Sequence, residues 1–583
     1  MFREKSRQRV FHETSLLMPS EKLARLQKTW AWGFRMHALP MVQEGMFAGL
    51  YHPDNGRPNV PVKTLVGLLL IKEWFDWTDE ETLWRLEYDL AVQAALDLTP
   101  DEAHVCQKTL HNFRVKLIAE DWARVLFKEV SAQVIEALGI RAEKQRLDST
   151  HVVSNIAMLT RLGVFCETVR VFLKDLRRHC PEGFARVPPS LAGRYLTAEG
   201  EATRYEDAQA PQRRRRLSVC ARDVYRLLER FRGQAEVEAL PSWALVQRLF
   251  SEQCEVRAQA ASEEGADDAG EEAAPAVPKE AKEVGSGSLQ TPHDPDVTYS
   301  GHKGKGYEVQ IAETFGEEGK PSVITYAQVT PSCKSDAEAA LPAVQSLARR
   351  GIAPETLVAD TTYGSTQNAM ACEEAGVDLV SPVPGPSRTE VEAEAVCLAD
   401  FQISRKGSEG TRCPAGHRAV SEQRTAGGGR LKARFNGKLC AACVHQATCP
   451  AKRMRNGDRK LSTTIEKVVL ARRVRREATQ EFQALYKKRA GIEGTNSELK
   501  RAHGMGVLRV RGAPRVLFAV FLKLSACNIK RMLKYLLKHA PGVLEKGKAG
   551  EHTPLASPFG PPCPQEPFFA FLADHPHRPA LLP

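Results

Sequence analysis

The 583-residue chain has no uninterrupted apolar run of eighteen residues, and its longest candidate, VLFAVFLKLSAC at 516–527, is broken by Lys523. That excludes a membrane-spanning helix, which needs about 20 consecutive apolar residues. The first residues, MFREKSRQRVFHET, are charged and lack an apolar signal-peptide core, so a cytoplasmic protein with no membrane partner is expected. A dense cysteine framework is also missing. Fourteen cysteines are scattered over the whole length, which excludes a small secreted disulfide scaffold and leaves most of them as buried or surface thiols.

Basic residues are present in excess. Lys and Arg number 82 against 71 Asp and Glu, a net charge of +11. The excess is uneven: acidic residues gather at 262–280, while arginines crowd 212–216, 472–476 and 509–515. A basic surface interrupted by one acidic stretch points to a polyanionic partner.

Taken in order, residues 1–140 are expected to form a helical, DNA-binding domain. VKTLVGLLLIKEWF starts just after Pro61 with helical periodicity, and Thr78 with Glu81 three residues on has the capping-box pattern. Lys108, Arg114 and Lys116 of KTLHNFRVKL could face outward, as suits a nucleic-acid module, although a plain helical scaffold fits equally. Residues 141–155 contain a strand-like run, RLDSTHVVS, with Asp148 near its middle. Residues 156–292 are expected as a helical insertion followed by a flexible, Ala-, Glu- and Gly-rich linker over 255–292. In 293–384, an antiparallel hairpin (306–314 and 322–330) is followed by a helix capped by Ser335 and stopped by Gly351, then by the strand of TLVADTTYG, where Asp360 sits as the strand runs out. Residues 385–460 form a Cys-rich insertion, 461–540 are helical, and the Pro-rich 541–583 are expected to be a disordered tail. The fold class is α/β, a mixed sheet with helical insertions.

One stretch, YKKRAGIEGTNSELK at 486–500, has an unusual face. Tyr486, Arg489, Glu493 and Lys500 are spaced by three, four and seven residues, which on one helix places them within an arc of about 60° along about 21 Å. A solvated face with Glu493 in ordinary i,i±4 pairs is one reading. The other begins from the two strand-borne acids. Carboxylates from two neighbouring strands and a helix packed across them make an oxygen cage for hard cations such as Mg2+ or Mn2+. Two such ions would activate an attacking oxygen and stabilise a leaving one, with Asp148 between them and Asp360 and Glu493 completing one each.

The order Asp148, Asp360, Glu493, the last inside Y-x2-R-x3-E-x6-K, resembles the DDE-class insertion-sequence transposases that carry the YREK signature. DSTHV and ADTTYGS also look like that family's first two acidic motifs. The resemblance implies an RNase H-like catalytic core with Asp148, Asp360 and Glu493 as metal ligands and Tyr486, Arg489 and Lys500 on DNA phosphates. It implies cleavage at the element's terminal inverted repeats and transfer of 3′-hydroxyl ends into target DNA, by a homodimer that brings two ends together. A nuclease that cuts without joining, or a silent zinc-containing DNA-binding repressor, are the alternatives. Asp148 and Asp360 lie some two hundred residues apart, a gap that departs from the simplest pattern and leaves the role of the 156–292 insertion open.

The Cys-rich insertion contains Cys413, Cys440, Cys443 and Cys449 at C-x26-C-x2-C-x5-C. Thiolates at this spacing fit a closed, structural zinc site. His417 or His445 could replace one cysteine, and free thiols are the competing reading. Cys372 and Cys397 are expected to be ordinary buried thiols. Asp336 and Glu338 are expected to serve a helix dipole, Glu498 to be solvated, and His151 to pack or hydrogen-bond on the strand face opposite Asp148.

Overall fold

The computed structural model describes the chain except for residues 5–17, 53–54, 57, 198–209, 258–274, 386–395, 405–409, 426–428 and 540–583. The middle of the expected linker and the expected disordered tail therefore lie outside the described residues.

Among the described residues the central sheet has six strands, of which five are β1 (Lys144–Val152), β2 (Gly304–Thr314), β3 (Ile324–Pro331), β4 (Thr356–Ala359) and β5 (Asp378–Val380). Their order is β3-β2-β1-β4-β5. β1 pairs antiparallel with β2 and parallel with β4, β2 pairs antiparallel with β3, and β4 pairs parallel with β5. This mixed sheet is an RNase H-like core. A short strand, Thr298–Ser300, adds an antiparallel turn to the start of β2.

The helices used below are α1 (Val62–Phe75), α2 (Asp79–Tyr88), α3 (Gln107–Ala119), α4 (Trp122–Leu138), α5 (Arg161–His179), α6 (Ala210–Phe231), α7 (Pro241–Gln253), α8 (Ala340–Arg349), α9 (Thr366–Glu374), α10 (Ile465–Glu477), α11 (Gln480–Lys487), α12 (Gly491–Ala502) and α13 (Ala513–His539). Strand alternation sorts the sheet's two faces. Leu147, Ala312, Leu357 and Ala359 pack against α8 and α9. Val152, Tyr307, Val309 and Ile311 instead join one continuous core with α1, α4 and α13. The N-terminal helices and the sheet thus share a core, with α13 buried between them. Thr78 caps α2 by accepting the Glu81 N–H, as its spacing predicts. Arg114 does not face outward: it pairs with Asp79 of α2. Lys108 and Lys116 are both exposed, as expected, and Lys116 also donates to the Leu50 carbonyl.

The 156–292 insertion leaves β1 and builds a second core of its own, with Phe165, Phe172, Phe231, Trp243 and Leu249 from α5, α6 and α7. Residues 275–292 are not a flexible linker. Ala276–Pro278 pairs with Cys254–Val256, Glu280 and Glu283 form a capping box, and Leu289 is buried in the insertion core. Apolar residues at 276, 277 and 289 give this stretch something to bury, which its overall composition conceals.

Candidate active site

β1 and β4 run parallel with Leu147 opposite Ala359, so the next residues on each strand, Asp148 and Asp360, come abreast. Neighbouring strands lie about 4.8 Å apart. Both acids alternate away from the α8/α9 face, towards α11 and α12. Asp360 ends its strand as the cap of a short 3-10 turn, accepting the Thr362 N–H at 2.9 Å. The turn is held tightly from behind: a side chain at Gly364 would place its first carbon 2.0 Å from the Pro382 carbonyl oxygen. Only glycine tolerates that approach, which accounts for the Gly in ADTTYGS.

A polar network supports the two acids from the other face of β1. The Ser149 hydroxyl donates to Asp336 at 2.9 Å, Gln310 Nε2 donates to Asp336 at 2.6 Å, and Lys303 pairs with both Asp336 and Glu308. The fully buried Tyr363 donates to Gln310. Asp336 opens a 3-10 turn, Asp336–Ala339, yet its carboxylate is turned onto this network beside Asp148 rather than serving only a helix dipole. His151 behaves as its strand position predicts, bonding Glu308 at 2.9 Å and the Lys305 carbonyl at 3.2 Å. Burial is the largest influence on Asp148. With Asp360 and Asp336 nearby it pushes the Asp148 carboxyl up to about 6, against the opposing pull of the Ser149 backbone N–H and Arg489.

The signature stretch is two helices rather than one. α11 ends at Lys487, a 3-10 turn covers Lys488–Ala490, and α12 starts at Gly491. Arg146 of β1 is the physical reason: its guanidinium donates to the Lys488 carbonyl at 2.8 Å. A side chain at 491 would meet that guanidinium at 1.9 Å, so Gly491 is where the helix can pass over it. The tighter turn breaks the strict 100° registry, and Tyr486 lies in the helix before it. Tyr486 stacks on Phe482, which packs on Val358 and Val380. Arg489 reaches both acids of its neighbourhood, 3.8 Å from Asp148 and ion-paired to the exposed Glu493. Lys500 is exposed on the last turn of α12.

α12 is clamped to the sheet by a buried charge cluster. Glu313 of β2, fully buried, pairs with Arg146 at 2.7 Å and Arg531 of α13 at 3.0 Å, and accepts the Thr495 hydroxyl at 2.7 Å. Glu498 is part of this clamp, paired with Lys530 and Arg531, not a solvated residue. Composition could not reveal that, because its partners lie more than thirty residues downstream. Sequence reasoning also passed over Asn496, whose Nδ2 donates to Asp148 at 3.2 Å. Its signal was available: it sits one helical turn beyond Glu493.

The Cys-rich insertion is a small four-stranded antiparallel sheet, β6 (Ser421–Arg424), β7 (Arg430–Phe435), β8 (Lys452–Arg453) and β9 (Arg459–Thr464), in the order β8-β9-β7-β6. Cys413, Cys440, Cys443 and Cys449 line one cavity at its edge, together with His417 and His445. Burial, then Cys413 and Cys449, push the Cys440 thiol up. Among the described residues, the one group of three His, Cys, Asp or Glu ligand atoms within 4.8 Å of one another is Glu498, His503 and Cys527, and there Glu498 already serves Lys530 and Arg531. Neither the acidic three nor the four cysteines close to that spacing. Cys372 is buried as expected, whereas Cys397 is only half-buried and accepts from Arg475 at 3.2 Å.

A family model described as a transposase DDE domain matches residues 412–533, and one described as a transposase domain (DUF772) matches residues 36–116. Both matches support a DDE-class insertion-sequence transposase. The first match spans the Cys-rich insertion, α12 and most of α13, so it includes Glu493 but neither Asp148 nor Asp360. The second covers α1, α2 and most of α3, but not α4 or α13, of the helices that share the sheet's core. No curated protein and no solved structure matches the chain. Its function is that of a transposase, a DNA-processing enzyme of a class that uses divalent metal ions. Among the described residues, no helix is long and apolar enough to cross a membrane.

Proposed function

We propose that the transposase binds the terminal inverted repeats of its element as a homodimer in the cytoplasm, cleaves the ends, and joins the 3′-hydroxyls to target DNA. The observation that carries this reading is the register of β1 and β4, which sets Asp148 and Asp360 abreast beneath the helix that bears Glu493. Carboxylates suit hard cations, and the buried, unpartnered Oδ1 of Asn496 beside Asp148 fits a site meant for one. Asp148, Asp360 and Glu493 would hold Mg2+ or Mn2+. Bound there, the ions would activate the attacking oxygen and stabilise the leaving one.

The protein's own groups do the rest. Arg489, now tied to Asp148 and Glu493, is the cation placed to move onto a phosphate when double-stranded DNA arrives. Tyr486 and Lys500 flank it along the same surface and grip the backbone on either side of the reacting phosphate. Such binding is dominated by phosphate contacts and falls steeply with salt. In the insertion, four thiols around one cavity suit a structural Zn2+ with no open position.

The test uses duplexes carrying the element's ends and a target plasmid. Asp148→Asn, Asp360→Asn and Glu493→Gln are each expected to abolish cleavage with Mg2+ while sparing end binding. Wild-type cutting by any one of them overturns the assignment. Cleavage without joining from pre-cut ends would make the protein a nuclease, and binding without cleavage in the wild type would make it a repressor.

A further inference from the structure

Asn496 lies three residues beyond Glu493, a spacing that returns to the same side of α12. Its Nδ2 donates to the Asp148 carboxylate at 3.2 Å and to the Ser149 carbonyl at 3.4 Å. A carboxylate and a carbonyl only accept, so the amide nitrogen must face β1, and Oδ1 bonds neither of these two partners. That oxygen is buried and has no hydrogen-bond partner among the described residues. A buried polar atom left unsatisfied costs about 1–3 kcal/mol, so the position is a poor one for asparagine unless something else meets the oxygen.

Docking α12 does not need Asn496. Thr495 and Glu498 on the same helix already bond Glu313, Lys530 and Arg531, and Ile492 and Leu499 are buried beneath it. The amide is instead spent on the one carboxylate that the sheet places at the centre of the acidic site. We propose that Asn496 is a positioning residue of the metal centre, fixing the Asp148 carboxylate through its N–H and offering its unpaired Oδ1 to a water carried by the divalent ion. This inference rests on Asp148 being a metal ligand. Residues in this outer role orient the ligand and the hydration shell, and losing one typically weakens metal binding by about 10–100-fold.

The experiment is calorimetric titration of Mn2+ into the full-length, zinc-replete protein without DNA. Asn496→Ala is expected to weaken Mn2+ binding by about 10–100-fold with the thermal melt and DNA binding unchanged. Asn496→Asp, which restores an oxygen at the same place, is expected to bind Mn2+ more tightly than Asn496→Ala. An affinity for Asn496→Ala within about twofold of wild type, well short of the usual outer-shell effect, overturns the proposal. So does an Asn496→Asp variant no tighter than the alanine one. If Asn496→Ala melts early, Asn496→Ser supplies the same comparison. Asp148→Asn separates the two layers of the argument: wild-type Mn2+ affinity in that variant means that the metal-site reading itself has failed, whereas loss there with no loss in Asn496→Ala defeats only the role of Asn496.

Discussion

The acidic centre and the cysteine cavity are both clusters of potential metal ligands, but they are held in opposite ways. Asp148 and Asp360 are set by the register of two parallel strands with a packed layer on each face. The four cysteines sit on a small sheet whose buried apolar set is limited to residues such as Phe401, Leu431, Phe435 and Leu461. Val420, Leu439 and Val444 of that insertion remain exposed. The first pair of acids is fixed by strand register. The other site belongs to a module with a smaller core, which the proposed zinc would reinforce.

The largest expected effect therefore falls on the insertion. Cys440→Ser is expected to lose the single equivalent of zinc and to render the stretch around residues 411–464 sensitive to limited proteolysis, while β1–β5 stay protected. Structural zinc contributes on the order of 10–16 kcal/mol of apparent binding energy in isolated finger peptides. Full zinc content in Cys440→Ser, measured by metal analysis, would remove the contrast between the two sites.

The complementary perturbation strikes the scaffold of the acidic centre. Glu313→Gln leaves the guanidiniums of Arg146 and Arg531 facing a neutral amide in the interior. Breaking a buried ion pair from one side costs about 3–5 kcal/mol, and because the clamp joins β1, β2, α12 and α13, the loss should appear in the global denaturant midpoint. A midpoint close to wild type would mean that the Glu313 ion pairs do not hold α12.

Much of the sheet was legible because its signals are local. The hairpin of β2 and β3, the Ser335 cap, the Gly351 stop and the strand ending at Asp360 each follow from a handful of neighbouring residues. Asp148 and Asp360 could be picked out as acids in strand-like settings, but their adjacency depends on β1 pairing with a strand two hundred residues away. The same limit hid Asp336 and Glu498, whose partners are Ser149, Lys303, Lys530 and Arg531. It also hid the 3-10 turn at 488–490, since nothing near that turn announces that Arg146 will take the Lys488 carbonyl. Composition misled at 275–292, where a few apolar side chains outweigh a disorder-prone average.

The smallest effect in this series concerns pH, and it sharpens the same comparison. His503, just past α12, is fully buried and bonds the Glu73 carbonyl at 3.2 Å. Burial, the largest influence, pushes its imidazole down to about 4, with Lys530 and Lys523 adding to the shift and the Glu73 carbonyl and Glu498 opposing it. The unfolded chain takes up that proton near the ordinary value of about 6.5. The folded state therefore resists protonation: the contribution is fully present above pH about 6.5 and is lost as pH falls towards about 4, by roughly 3 kcal/mol at most. His503→Asn keeps a donor for the Glu73 carbonyl and removes the titration, so its denaturant midpoint should fall less than wild type between pH 7 and pH 4.5. Acid also strips thiolate-bound zinc, and for that reason both proteins must be compared with zinc already removed by chelator. Parallel midpoints under those conditions would show that the acid sensitivity of the protein does not arise at His503, in the joint behind α12.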